Sequence, residues 1–243
     1  MGGAIVFGVG AEAGLGGALC RRFAREGLTV FAVGRTAAKL DAMVEGVRAA
    51  GGRAHAVAAD VTQARDIAGA FDAVEKETGG APPVLVAYNA GNMAAAPIAE
   101  MTDAFFEASW RVCAFGAFLC GREAARRMAP RAQGTLIFTG ATSSLRSRPP
   151  FIAFAAAKAA ERAVAHGLAR ELGPQGIHVA HVIVDGVIDG ELVNARAPQI
   201  KEKLGADGMI SIDALADTWW MLHAQPRSAW TLELDLRPYK ETF

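Results

Sequence analysis

The chain has 243 residues, of which 52% are hydrophobic, and its 25 basic residues are balanced by 25 acidic ones. This length and apolar content fit one large α/β domain and exclude an intrinsically disordered chain, which would combine low hydrophobicity with high net charge. The balanced charge argues against nucleic acid and against a membrane surface as partners, because both attract an excess of basic residues.

Short β-branched runs alternate with longer alanine-rich segments of helical period along the whole chain. This alternation predicts a doubly wound α/β fold, a parallel sheet of about seven strands with helices on both faces, in a single domain over residues 1–243. Residues 188–211 have weak periodicity, so we expect a loop or short helices there, over the crevice where such folds bind ligands. The predicted strands span 4–9, 28–34, 53–59, 83–88, 134–140, 176–185 and 230–236, and the predicted helices span 15–26, 36–50, 63–78, 102–128, 151–172 and 212–224.

A glycine-rich turn follows the first predicted strand and opens directly into the first helix. Gly10, Gly14 and Gly16 have the spacing Gly-x-x-x-Gly-x-Gly, and Leu15 begins the helix. Such a turn lets the backbone approach a pyrophosphate, which the free N–H groups and the dipole of the helix N-terminus then bind. A purely structural turn is the alternative, but the strand–turn–helix context at the start of the chain favours a dinucleotide site.

The end of the second predicted strand bears on which dinucleotide binds. NAD sites usually have an acidic residue here for the ribose hydroxyls, whereas this chain has Arg35. A guanidinium suits a 2′-phosphate, so the sequence slightly favours NADP(H) over NAD(H). The alternative for Arg35 is a solvated loop arginine, and the negative charge of Glu12 within the turn acts against phosphate binding.

Further motifs occur in order along the chain: Asp60-Val61 after the third strand, Asn89-Ala90-Gly91 after the fourth, and Lys158 in the helix after the fifth. With the glycine turn, these motifs make the sequence resemble the short-chain dehydrogenase/reductase family, which has a Rossmann-type fold. The resemblance implies that Asp60 and Val61 contact adenine, that Asn89-Ala90-Gly91 supports the cofactor or the central strand, and that Lys158 bonds the nicotinamide ribose. It also implies a homodimer or homotetramer acting on a small-molecule substrate. From the residues alone, Asp60 could provide a helix N-cap and Asn89-Ala90-Gly91 a turn, and both roles could hold alongside the functional ones.

Most catalytic groups of that family are replaced here. Where the family has Tyr-x-x-x-Lys, the chain reads Phe154-Ala-Ala-Ala-Lys158; the position of the family's serine is Ala141, and its asparagine falls on Cys113. Hydride transfer to a carbonyl requires a proton for the nascent alkoxide, and general acid catalysis is typically worth about 10²–10⁴-fold. The retained lysine favours an NAD(P)(H)-dependent oxidoreductase with altered proton transfer that interconverts a carbonyl and an alcohol on a small, apolar substrate. The replacements favour the rival hypothesis, a catalytically silent nucleotide-binding protein that acts as a sensor or an assembly subunit.

Candidate replacements for the missing catalytic groups follow the fifth strand. We interpret Thr142 and Ser143 as possible donors to a substrate oxygen, along with Ser144, although small polar residues at this point also cap loops. Lys158 could act as a proton donor through water. The alternative is a solvated lysine on the surface of an alanine-rich helix.

After the sixth strand, Gly186, Val187 and Ile188 are positioned to meet the nicotinamide carboxamide, by the same resemblance. Asp185 stands where the family usually has proline, which weakens that assignment.

Cysteine and histidine spacing predicts no metal site. His178 and His181 lie three apart on one strand and therefore point to opposite faces. The cysteines form no Cys-x-x-Cys pair, so we expect three buried free thiols and a cytoplasmic protein. They are Cys20, Cys113 and Cys120.

Overall fold

The computed structural model describes residues 2–241 and contains the predicted strands and helices with small shifts at their ends, except that the predicted helix 102–128 is divided in two. The first half of the chain comprises β1 (Gly3–Phe7), α1 (Leu15–Arg25), β2 (Thr29–Gly34), α2 (Ala37–Ala49), β3 (Arg53–Ala58), α3 (Ala64–Glu77), β4 (Leu85–Tyr88), α4 (Asp103–Trp110) and α5 (Gly116–Met128). The second half comprises β5 (Gly134–Ala141), α6 (Ile152–Leu172), β6 (Ile177–Val184), β7 (Ile188–Asp189), α7 (Glu191–Arg196), α8 (Gln199–Leu204), β8 (Ile210–Ser211), α9 (Ile212–His223) and β9 (Glu233–Leu236).

Seven strands form one parallel sheet in the order β3-β2-β1-β4-β5-β6-β9, which confirms the doubly wound prediction. The chain leaves β1 toward β2 and β3 on one side and later returns to place β4 on the other side. The carboxyl ends of β1 and β4 are therefore the switch point, where ligands bind in open α/β sheets.

Both faces of the sheet are buried, which explains why the strands read as nearly continuous apolar runs. Successive residues of a strand enter opposite layers: Val6 packs with α1 and α9 residues such as Trp219, whereas Phe7 packs with Phe71 of α3 and Phe138 of β5. Each layer covers the sheet with amphipathic helices, and the two layers hold the carboxyl ends of the strands in fixed register.

The long predicted helix 102–128 is interrupted. A π-helical turn, Arg111–Phe115, separates α4 from α5. The Tyr88 hydroxyl donates to the Val112 carbonyl at 2.5 Å, so a side chain from β4 binds a backbone group within this irregular turn. The weakly periodic segment 188–211 contains the short elements β7, α7, α8 and β8. Within residues 2–241, no helix is both long and apolar enough to cross a membrane.

Candidate nucleotide-binding and active site

The glycine-rich turn lies at the switch point and packs tightly on one side only. A Cβ on Gly16 would lie 2.9 Å from the Gly8 carbonyl oxygen and 3.1 Å from the Val9 Cα, so only glycine lets α1 lie this close to the end of β1. At Gly10 no described atom lies within 4 Å of the Cβ position. The N-cap of α1, Gly14, has no side-chain capping bond. The turn therefore presents an open face and uncapped backbone N–H groups, which fit a pyrophosphate.

Glu12 lies within the glycine turn and is exposed. Its Oε1 atom lies 3.1 Å from the position that a Cβ on Gly46 of α2 would occupy. Arg21 of α1 donates to the Glu12 backbone carbonyl at 2.9 Å and not to its carboxylate. The negative charge of Glu12 therefore stays at the turn, where it acts against phosphate binding.

Arg35 lies beside the glycine turn. The backbone N–H groups of Gly8 and Val9 both donate to the Val33 carbonyl, at 3.0 and 2.9 Å, which ties the turn to the end of β2. Arg35 follows β2 by one residue and is exposed. Its guanidinium is therefore accessible to solvent at the carboxyl end of β2.

Asp60 does not cap α3, so its alternative interpretation as an N-cap is wrong. The N-cap of α3 is Gln63. Asp60 instead accepts from the Thr62 N–H at 2.9 Å, and its own N–H donates to the Asp66 carboxylate at 2.9 Å. These bonds fix a tight turn at the carboxyl end of β3 and leave Val61 buried beside it.

Asn89 bridges the two strands of the switch point. Its side-chain Nδ2 donates to the Gly8 carbonyl at 3.3 Å, and its backbone N–H donates to the Phe7 carbonyl at 3.0 Å. Just beyond it, the Cβ position of Gly91 lies 3.7 Å from Lys158 Nζ and 4.0 Å from Cys113 Sγ. The motif after β4 thus supports the central strand and leads directly to the lysine.

Lys158 is almost fully buried on α6, with 4% of its surface exposed. Its Nζ donates to the Thr139 carbonyl and to the Glu161 carboxylate, both at 2.6 Å. Burial acts to lower the pKa of Lys158, but the charge of Glu161, together with Cys113, outweighs burial and raises it. The lysine is therefore a cation in the wall of the crevice, held by the carbonyl of Thr139 near the end of β5.

The positions of the family's other catalytic groups meet in an apolar cluster. Phe154, Cys113 and Ala157 form its buried part, and Ala141 packs against them. The Cys113 thiol pKa is raised by burial, and the thiol lies 3.8 Å from the Asn92 side-chain oxygen. The helix alignment that placed Cys113 at the asparagine position is consistent with this proximity. The residues at the positions of the family's tyrosine, serine and asparagine thus lie together in space, but none of them has a hydroxyl.

The candidate hydroxyls after β5 already have protein partners in two cases. Thr142 donates to the buried Asp185 carboxylate at 2.5 Å, and Arg146 binds the same carboxylate at 3.3 Å. Ser144 Oγ accepts from the Ala141 N–H at 3.1 Å, which is the loop-capping role. Ser143 is partly buried in the same turn.

Neither of the chain's two tyrosines belongs to the apolar cluster of Phe154, Cys113 and Ala157. Tyr88 is buried and donates to the π-helical turn. Tyr239 is 78% exposed on a C-terminal tail that folds back, since Pro238 lies against Gly186. Gly186 therefore contacts the tail, while the Val187 carbonyl accepts from the Ile210 N–H at 2.8 Å.

The segment 188–211 contacts the glycine turn. Ile188 pairs with Ile210 in the small β7–β8 sheet. At the start of α7, the Glu191 N–H donates to the Ala13 carbonyl at 2.9 Å. One end of this segment is therefore anchored on the turn that opens α1.

A polar cluster behind the lysine was not predicted from the sequence. Glu233 accepts from both Arg162 nitrogens at 2.7 Å, from His166 at 2.8 Å and from His181 at 2.9 Å. Burial acts to raise the pKa of Glu233, but these donors lower it to about 2. The ligand-type atoms of His166, His181 and Glu233 lie within 4.8 Å of one another, and the Arg162 guanidinium already compensates the carboxylate. His178 bonds the Thr231 carbonyl instead, which agrees with opposite orientations for the two strand histidines.

Comparison with known proteins gives matches over most of the chain. The profile of the short chain dehydrogenase family matches residues 4–201. The chain is 32% identical over 194 residues to the uncharacterized oxidoreductase YuxG of Bacillus subtilis, a match that covers 76% of this chain but only 27% of YuxG. It is 31% identical over 166 residues to an NADPH-dependent aldehyde reductase-like chloroplastic protein of Arabidopsis thaliana, covering 67% of this chain and 61% of that protein. A short-chain dehydrogenase structure from Rhodopseudomonas palustris matches with a TM-score of 0.81 and 36% identity, over 98% of this chain and 99% of the other.

A seven-stranded parallel sheet with a glycine-rich turn at its switch point defines a dinucleotide-binding protein of the Rossmann type. Within that class, the chain belongs to the short-chain dehydrogenase/reductase family of NAD(P)-binding oxidoreductases.

Proposed function

We propose that this chain is an NAD(P)(H)-dependent oxidoreductase that interconverts a carbonyl and an alcohol on a small, apolar substrate. The observation that carries the proposal is Lys158, whose Nζ lies beside Gly91 at the end of the switch-point strands. A lysine here, at the same edge of the sheet as the open glycine turn, supports the binding of a dinucleotide along that edge. The cofactor supplies the hydride, and this chain's residues bind it, orient it and exclude water.

Each motif has a proposed role in that binding. The turn Gly10, Gly14, Leu15 and Gly16 holds the pyrophosphate with backbone N–H groups. The other assignments follow the family. Asp60 and Val61 contact adenine; Asn89, Ala90 and Gly91 support the cofactor; Lys158 bonds the nicotinamide ribose; Gly186, Val187 and Ile188 meet the carboxamide; and the segment 188–211 covers the substrate.

NADP(H) is the proposed cofactor, because exposed Arg35 lies next to the turn. The test is a fluorescence titration of the purified protein with NADPH and with NADH. We expect saturable binding, with NADPH tighter. Arg35→Ala should weaken NADPH binding by about 10–100-fold, the loss of a charge-assisted hydrogen bond, and leave NADH binding unchanged. The matched control is Lys76→Ala, which removes the same charge from an exposed position on α3. Failure of folded protein to bind either dinucleotide would refute the proposal.

A second candidate function is a catalytically silent nucleotide-binding protein. The apolar cluster of Phe154, Cys113 and Ala141 favours it, because no hydroxyl stands at the positions of the family's tyrosine and serine. If catalysis survives, the proton comes from the Lys158 side through water or from Thr142 or Ser143. A carbonyl screen with the native chain and with Phe154→Tyr/Ala141→Ser separates the two candidates. Turnover by the native chain supports the enzyme, whereas turnover only by the variant supports the silent protein.

The proposed assembly is a homodimer or homotetramer in the cytoplasm. Three aromatic side chains on α4 and α5, Phe106, Trp110 and Phe118, are each at least 40% exposed, and β9 is an edge strand. Exposed aromatic residues and unpaired edges are commonly covered by a neighbouring chain. The three cysteines are buried and free, as expected for a reducing compartment. Light scattering of the eluted protein tests the assembly, and a monomer at micromolar concentration would contradict it.

A further inference from the structure

Glu161 is a fully buried carboxyl one helical turn beyond Lys158. Its side chain has 0% exposure, and its Oε2 atom lies 2.6 Å from Lys158 Nζ. Its Oε1 atom has no hydrogen-bond partner among residues 2–241. The carboxyl is therefore only half satisfied, and its one strong partner is the lysine that the proposed function assigns to the cofactor.

Most of the donors of the lysine are correspondingly used within the protein. Two of its three N–H donors are used by the Thr139 carbonyl and by Glu161, and its side chain is 5% exposed. A dinucleotide whose ribose hydroxyls bond Lys158 must compete with Thr139 and Glu161 for the N–H donors of the ammonium group. A buried ion pair is stable only while both charges stay together, because an unpaired buried charge is costly.

Other titratable groups do not replace this partner. Cys113 faces the pair from the π-helical turn and Tyr88 faces it from β4, and burial raises the pKa of both. His181, on β6 with Glu233 beyond it, is kept neutral near pH 7, because burial lowers its pKa to about 4. Burial raises the pKa of Glu161 itself to about 7, even with Lys158 acting to lower it. The carboxyl thus has one cationic partner and titrates close to neutrality.

We propose that Glu161 is a positioning residue for Lys158 that takes up a proton when a nicotinamide dinucleotide binds. The inference rests on the proposed function. While Glu161 is ionised, it holds the ammonium group in the crevice wall. When the ribose hydroxyls of the dinucleotide bond Lys158 and draw it from Glu161, the carboxylate loses its partner and accepts one proton from solvent to become a neutral carboxyl. Nothing is oxidised or reduced in this step, and the lysine keeps its charge.

The consequence is dinucleotide binding that tightens as the pH falls through neutrality. If binding raises the pKa of Glu161 by about one unit, linkage gives about a sevenfold tighter Kd at pH 6 than at pH 8.5. At pH 7.5 the same shift corresponds to uptake of about half a proton per site. A carboxyl with a merely structural role would change stability or overall affinity without producing this pH profile.

The test uses NADH as the probe, because it lacks the titrating 2′-phosphate of NADPH. The Kd is measured by fluorescence between pH 6 and 8.5 for the native chain, for Glu161→Gln and for Glu123→Gln. Glu123 is a comparable control, a buried glutamate paired with Arg126 and Arg127 on α5. We expect the sevenfold change for the native chain and for Glu123→Gln. Glu161→Gln should bind with the affinity of the native chain at low pH and show a flat profile.

Calorimetry in two buffers of different ionisation enthalpy counts the protons directly, and absence of proton uptake by the native chain overturns the inference whether or not the variant folds. Uptake of about half a proton at pH 7.5 that disappears in Glu161→Gln supports the inference. NADH binding that is independent of pH, or that varies equally in Glu161→Gln, overturns it while leaving the proposed function intact. If neither NADH nor NADPH binds at any pH, both this inference and the proposed function are refuted.

Discussion

Gly140 makes room for a buried imidazole, and this gives a sharp stability prediction. Gly140 lies near the end of β5, and a Cβ there would overlap the ring of His181 and approach Ser144 Oγ to 3.1 Å. The His181 side chain has 0% exposure and is tied to Glu233 through its Nδ1 atom at 2.9 Å. In Gly140→Ala the ring cannot simply swing into solvent. It must break its bond to Glu233, or the backbone of β5 must shift.

The size of the effect follows from these two costs. Overpacking a buried site typically costs about 1–3 kcal/mol, and a hydrogen bond to a charged group contributes about 1.5–3 kcal/mol. Alanine recovers about 0.5–1 kcal/mol by restricting the unfolded chain. We therefore expect Gly140→Ala to lower the free energy of unfolding by about 2–4 kcal/mol.

Urea denaturation measures this loss, with Gly167→Ala as the matched control. Gly167 is exposed on α6, and nothing lies within 4 Å of its Cβ position, so we expect stabilisation by up to about 1 kcal/mol from helix propensity. In Gly140→Ala/His181→Ala the new methyl group enters the space left by the ring. The loss of unfolding free energy in this double variant should therefore be smaller than the sum of the two single losses by at least about 1 kcal/mol. A neutral Gly140→Ala, or strictly additive losses, would refute the assigned overlap.

Two further predictions concern the same end of the sheet. Burial lowers the pKa of His181 to about 4, so its contribution to stability is complete above pH 6.5 and about 3 kcal/mol of it is lost as the pH falls to 4. The difference in unfolding free energy between the native chain and His181→Gln should therefore shrink over that range. A difference that is independent of pH would contradict the assignment. Thr142→Val should lower the free energy of unfolding in urea by about 1–2 kcal/mol, because buried Asp185 loses a donor but keeps its arginine partners. Thr142→Ser, which keeps the hydroxyl, should stay within about 0.5 kcal/mol of the native chain. Equal losses in both variants would show that the hydroxyl is not the cause.

The fold was predictable because local signals and burial agree along most of the chain. Strands covered on both faces read as continuous apolar runs, and the predicted switch point follows from their order. The last strand begins later than predicted, at Glu233. The preceding backbone is engaged by side chains instead: the Thr231 N–H donates to Gln225, and the Thr231 carbonyl accepts from His178. Such competition depends on tertiary contacts that a strand-like sequence run does not reveal.

The candidate site was predictable where its residues lie at strand ends or match the family's motif on α6. The glycine turn, Asn89 and Ala141 lie at the carboxyl ends of parallel strands, which necessarily meet at one edge. The cluster around Glu233 joins α6, β6 and β9, and its members are separated by as many as 71 residues. Glu161 looks in sequence like one more polar residue of an exposed helix face. Its burial follows only from the packing of α6 on the sheet.

Glu161 and Phe154 are coupled in what they imply for chemistry at this site. A nearby lysine promotes proton transfer from a hydroxyl by lowering its pKa through its positive charge. In this chain Phe154 provides no hydroxyl, and the charge of Lys158 is already compensated by a carboxylate at 2.6 Å. A tyrosine introduced at position 154 would therefore meet a lysine whose field is largely cancelled whenever Glu161 is ionised. Its gain in turnover should fall below the about 10²–10⁴-fold expected of a general acid, and it should be greatest below pH 7, where the carboxyl is neutral. Full recovery of the family's proton transfer requires that the buried carboxylate be neutralised as well as the hydroxyl restored.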